Sequence, residues 1–361
     1  MSAAPVLDLT ARRRALAVDI DVSPAYELIV SLFGWSSPDS RSILEIGPGW
    51  FDERRKLASP ELGALLDGFA DTGKLLVDLV GKLHQAATVR DVSSLLALLE
   101  GLDPEELWST LLGGHQSGRD SAVGPDQIRT AAGDAAARRQ LAAIIGADEE
   151  CGGAGLARVA RMEPDEVKAR VIELLRRWHD EILSEHLATA APILERDARA
   201  KQTLAAAMTP GRLIETATNG VSYEPEPGIA RVLLIPHMVM RPWVVISEYD
   251  RTKIFVYPVA AESMAVAPED PPLRLVALGK ALGEEQRLRI IHRLAAGPLS
   301  LQQIADHLGL AKSTAHHHMV ILRAAGLVRV ELGGDKEYSL RDDPATHVAE
   351  VLQAYLGGTP R

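Results

Sequence analysis

Between Ser300 and Leu340 the spacing of apolar residues changes twice, and few folds accommodate both changes in so short a stretch. PLSLQQIADHLGL offers Ser300 as an N-cap, a helix through Ile304 and Ala305, and Gly309 as its stop. A second helix begins three or four residues on, in AKSTAHHHMVILRAAGLV, where Ala315, Met319 and Leu322 recur at i, i+4 and i+7 and so share one core-facing stripe. The period then drops to two: GLVRVELGGDKEYSL predicts strands over 327–332 and 337–340, joined through Gly333-Gly334-Asp335 as a β-hairpin. Upstream, LRLVALGKALGEEQRLRIIHRLAAG (273–297) predicts two short helices, the second with Leu288, Ile291 and Leu294 on one face and an end at Gly297 before Pro298. Helix, helix, turn, helix, hairpin is the order of a winged helix-turn-helix.

The stripe leaves Lys312, Ser313, His316 and His317 outside, with His318 beside it. Three adjacent helical histidines project about 100° apart, so their rings diverge and do not converge on one metal ion. Imidazoles donate and accept hydrogen bonds when neutral and meet phosphate when protonated, which suits a face turned to DNA and makes pH-sensitive affinity an expectation. The formal net charge of −10 argues against that partner only if charge is spread evenly. It is not: residues 273–341 hold ten Lys/Arg against six Asp/Glu, a basic module on an acidic body.

Residues 273–341 resemble the ArsR-type winged-helix transcriptional regulators, through LGEEQRLRIIHRL (282–294), LSLQQIADHLGLAKSTAHHHMVILRAAGLV (299–328) and the closing EYSL. The resemblance covers about a fifth of the chain, and a helical region, small sheet and C-terminal module in that order also resemble large actinobacterial members. It implies that the helix from Lys312 enters the major groove of double-stranded DNA while the wing tracks the phosphates. Lys312, Ser313, His316 and His317 are then base or nearby phosphate contacts, Thr314 a phosphate or capping group, Arg323 a further DNA contact, and Arg329 and Lys336 the wing contacts. A homodimer is implied, through the last helix (about Thr346 to Tyr355, within 343–361) and the helix around Leu275, with repression as the expected output. The family's paired metal-sensing cysteines are absent from this segment; the last helix offers only His347 and Glu350, at i and i+3.

For the rest of the chain the expectation is an α-rich α+β protein. Aromatic residues are only 4%, so aliphatic side chains and alanine must fill the core, which suits helix packing. The domains expected are an acidic helical N-terminal domain (1–210), a small antiparallel β-region (211–265), a Pro-rich linker (266–272), the winged helix (273–342) and a C-terminal helix (343–361). Ser23 and Pro24 mark a helix start. Residues 163–208 form a long helical pattern that Pro192 kinks or divides, and 113–134 and 148–164 read as loops. Cys151 is the only cysteine, so no intrachain disulfide or multi-cysteine zinc site forms, and a reducing cytoplasm fits. The first residues lack a secretory pattern, and no apolar run reaches membrane-spanning length.

PHMVMRPWVVISEY brings methionines, a tryptophan and an arginine near one sheet and reads first as sheet core packed on helices, the alternative being an apolar pocket for a small-molecule effector in the N-terminal domain. His179 and His186 lie two turns apart, too far to share an ion, and Cys151 is an oxidation sensor only if exposed and acidified. ILEIGPGWF (43–51) resembles the first motif of S-adenosylmethionine-dependent methyltransferases, but Trp50 and Phe51 stand in the third-glycine region and no second strand with an acidic tip follows. A loop between helices fits better, and neither an enzyme nor a cofactor or metal is expected. The remaining alternative is a winged helix that binds a protein partner instead of DNA.

Overall fold

The computed structural model describes residues 16–36, 38–72, 75–113, 123–147, 153–264, 270–332 and 336–357. Eight strands are described: β1 (Ala17–Ile20), β2 (Val221–Tyr223), β3 (Arg231–His237), β4 (Val245–Tyr249), β5 (Thr252–Pro258), β6 (Leu299–Ser300), β7 (Val328–Leu332) and β8 (Glu337–Leu340). They form two four-stranded sheets, ordered β1-β3-β5-β4 and β2-β7-β8-β6. The fold is the expected α-rich α+β arrangement ending in a winged helix-turn-helix. In the first sheet strand direction differs from expectation: β1–β3 and β3–β5 pair parallel, and only β4–β5 is antiparallel.

The reason lies in β3. Its Val232 to His237 run is buried throughout, as expected of a strand covered on both faces. Leu233, Ile235, Ile254 and Val256 face the helical layer, in one core with Trp108 and Trp178. Val232, Leu234, Phe255 and Tyr257 belong to the core of the C-terminal module. The first sheet is therefore a shared wall, with helices on one side and the module, hereafter the head, on the other.

Local chemistry explains the helical ends. Ser23 Oγ accepts from the Ala25 amide at 3.0 Å and starts the helix Pro24–Ser36. Pro192 neither divides nor ends its helix, which runs from Ser184 to Ala205. The irregularity falls earlier, in the π-helical Trp178–Leu183, where the buried Trp178 donates its indole N–H to Ser31 Oγ at 2.8 Å. Helices Pro125–Gly133 and Gly153–Arg161 occupy stretches expected to be loops, and Pro210–Ala217 is helical just before β2. Cys151, the Gly333-Gly334-Asp335 turn and most of the Pro-rich linker lie outside the described residues. Among those described, no helix is long and apolar enough to cross a membrane.

Candidate nucleic-acid interface

The head opens with helices Leu273–Leu282 and Glu285–Leu294. The second buries Ile290 and Leu294 and leaves Leu288 47% exposed, so its core face is rotated from the expected Leu288-Ile291-Leu294 stripe. Glu284 sets that phase as N-cap, its carboxylate accepting from the Gln286 amide at 3.3 Å. Ser300 and Gln303 form a reciprocal capping box that starts helix Leu301–Leu308. Gly309, at φ 63°, closes it in the left-handed conformation that glycine adopts without strain. The chain then turns into the second helix of the pair, Lys312–Ala324.

Ala315, Met319 and Leu322 are buried with Ile304, Ile290 and the wing residues Val328 and Tyr338, which fixes this helix on its partners. Lys312, Ser313 and Thr314 are exposed at its start, and no side chain caps that terminus. No acidic residue occurs between Ala311 and Ala325. An N-terminus with its donors pointing outward and a lysine beside it suits a phosphate.

His316 and His317 do not face open solvent. Their rings stand 5.1 and 6.0 Å from Trp243, centroid to centroid and edge-on, on the segment between β3 and β4. Burial pushes the His316 imidazole down to about 4, with Lys336, His317 and Arg323 adding in the same direction, so it is neutral near pH 7. Val320, one turn on, is buried in the helical body's core. The His316, His317 and Val320 face of the helix is thus partly covered by the chain's own segment between β3 and β4.

Arg323 corrects the expectation of a DNA contact. It is 5% exposed, and its guanidinium donates to the carbonyls of Thr218 and, at 2.7 Å, Pro242. Burial lowers its pKa to about 10, which still leaves it charged, and it ties the head to the body. The signal was present in the sequence: Arg323 lies at i+4 from Met319 and i+8 from Ala315, on the buried stripe. Trp243 was read only as pocket or sheet core. On the wing, Arg329 is half-buried and donates to Ser339 Oγ at 3.0 Å, while Lys336 is exposed with Nζ 5.7 Å from the Tyr338 ring centre. His318 lies beside the core as expected, its Nδ1 3.3 Å from a Glu284 oxygen.

Among the described residues no group of three or more His, Cys, Asp and Glu side chains is placed to hold a metal. His179 lies 2.6 Å from Asp180 and His186 3.3 Å from Glu27, so they serve different carboxylates. His347 packs over Gly326, whose φ is 75°. The ILEIGPGWF stretch contains no strand: a turn links the 3-10 segment Pro38–Ile43 to helix Pro48–Leu57, and Glu45 pairs with Arg241 at 2.9 Å. The loop reading of that motif describes it.

Residues 282–331 match a family described as a helix-turn-helix domain. The chain is 38% identical over 79 residues to the HTH-type transcriptional regulator CmtR of Mycobacterium bovis and of Mycobacterium tuberculosis, spanning 22% of this chain and 64% of the relative. It is 38% identical over 74 residues to the HTH-type transcriptional regulator NmtR of Mycobacterium tuberculosis, spanning 20% of this chain and 59% of that protein. The chain therefore spans less than two thirds of the curated relatives it matches, and no solved structure matches it. The C-terminal module is thus a helix-turn-helix module, similar in sequence to these transcriptional regulators and carried behind a large N-terminal region.

Proposed function

We propose that the protein is a cytoplasmic, homodimeric DNA-binding transcriptional regulator, acting as a repressor and not sensing metal through cysteines. The observation that carries this reading is the start of helix Lys312–Ala324: an exposed lysine and two hydroxyls at an uncapped terminus, on a helix without an acidic residue. Lys312, Ser313 and Thr314 take the phosphate or base edges first, and the wing adds Arg329 and Lys336. His316 and His317 join only when the head parts from Trp243. A small-molecule effector then acts by binding the parted and docked arrangements unequally.

The test is binding of the full chain to genomic fragments, its own upstream region included, at two salt concentrations. The wild type is expected to bind selectively and lose affinity as salt rises; a Lys312→Ala/His317→Ala variant weakens binding by about tenfold or more. Equal binding by the two proteins removes the helix from the interface. The edge-on contact of His316 and His317 with Trp243 favours a second reading, in which this face serves protein contact. Absence of selective binding in the wild type and in a Trp243→Ala variant, which uncovers the face, would favour that reading.

A further inference from the structure

Head and body leave a cleft between them. It has two adjoining compartments, of about 390 and 270 Å³, which share Glu45, Arg241, Pro242, Leu273, Ala277 and Ala324. The walls come from both parts of the molecule.

The larger compartment is cationic. Five of its lining side chains are Lys201, Arg241, Arg274, Arg323 and Arg341. Three have partners: Lys201 with Asp197 at 3.2 Å, Arg241 with Glu45 at 2.9 Å and Arg274 with Glu262 at 3.2 Å. Arg323 and Arg341 pair with no carboxylate among the described residues. Arg323 is satisfied by backbone carbonyls, whereas Arg341 Nε is buried with no hydrogen-bond partner. Burial lowers the pKa of both guanidiniums; around Arg341 the Glu215 carboxylate opposes this while Arg274, Arg212 and Arg329 add to it. The smaller compartment is mainly apolar, lined by Ile43, Ile46, Met238, Met264, Val276 and Ile321, with Glu45, His186, Arg241 and Lys280 also on its wall.

A lining guanidinium with no carboxylate in contact at one end and a mainly aliphatic lining at the other define one ligand chemistry. We propose that the cleft between head and body binds an apolar organic acid, its carboxylate at Arg341 and its hydrocarbon part between Met238, Met264, Val276 and Ile321. A carboxylate adds negative charge beside a guanidinium that no carboxylate contacts directly, and a hydrocarbon chain fills the space beside it. A ligand touching both walls binds the docked arrangement more tightly than the parted one and holds the head on Trp243. That last consequence rests on the DNA-binding reading, and the binding itself does not.

Calorimetry on the full-length protein without DNA tests the site directly, with octanoate, octan-1-ol and inorganic phosphate as probes. Octanoate is expected to bind once per chain and about tenfold or more tighter than octan-1-ol, with phosphate giving no saturable binding. Arg341→Gln should abolish the preference for octanoate over octan-1-ol, and Ala277→Phe, which fills the shared neck, should abolish binding of both. Thermal unfolding of each variant checks that it is folded, and either variant alone suffices if the other is not. The proposal is overturned if wild type binds no octanoate, if octanoate binds no tighter than octan-1-ol or phosphate, or if a folded variant binds all three as wild type does.

Discussion

His316 and His237 each carry a cost that sets how the molecule responds to acid. Burial holds both near pKa 4; around His316 the Lys336, His317 and Arg323 charges add to the effect, and around His237 Arg241 and Arg323 add while Glu27 opposes. Unfolded, each titrates near 6.5, so between about 6.5 and 4 the unfolded chain binds the extra protons and stability falls as pH falls. Above 6.5 both are neutral in either state and the contribution is fully present. The unfolding midpoint of the wild type is expected to drop through this window, and His316→Asn to drop less steeply. Parallel pH profiles for the two proteins would show that His316 does not titrate against the Trp243 contact. Acid therefore loosens the docked head, whereas protonated imidazoles bound to phosphate would also favour a parted one; both effects have the same sign.

Glycine spacing decides how close one helix lies to the first sheet. A Cβ at Gly81, in helix Asp78–Ala86, would stand 2.2 Å from Tyr249 Cβ on β4 and 3.0 Å from Ile254 Cδ1 on β5. Gly81→Ala should destabilise the protein by about 1–3 kcal/mol through overpacking. Gly101→Ala, where nothing lies within 4 Å, should change stability by about 0.5 kcal/mol or less. Urea denaturation of the pair measures the difference, and equal midpoints would contradict the close approach. No sequence pattern disclosed that contact, because a glycine in a helix shows only that a side chain is missing. What was legible had local chemistry behind it: the Ser23 and Ser300 caps, the Gly309 stop, and the alternation in β7 and β8. The small helices of 125–161 were hidden because alanine and glycine give little periodic contrast. At the candidate site the exposed Lys312, Ser313 and Thr314 followed from helical phase, while the cover over His316 and His317 depended on Trp243, some seventy residues away.

At the scale of the whole molecule, the last helix, Pro344–Gly357, has a largely unpartnered apolar face. It buries no residue completely and exposes Leu352 (43%), Tyr355 (45%) and Leu356 (73%), while Val348 and Val351 pack partly on the head. Those three side chains are the surface on which the proposed homodimer would close. Leu352→Glu/Leu356→Glu should convert the dimer to a monomer in sedimentation velocity and weaken DNA binding by more than the charge change explains. A dimer that persists in the variant would place the interface elsewhere. A second whole-molecule consequence follows from β2, which precedes the head by some fifty residues yet pairs in parallel with β7, Val221 opposite Val330 and Tyr223 opposite Leu332. A fragment cut at the limits of the family match, 282–331, would lose β8 together with β2, leaving β7 with neither neighbour and a row of backbone donors and acceptors bared along both of its edges. Such a fragment would tend to recruit a strand from another copy of itself, so its self-association would report the missing edge and not the native assembly.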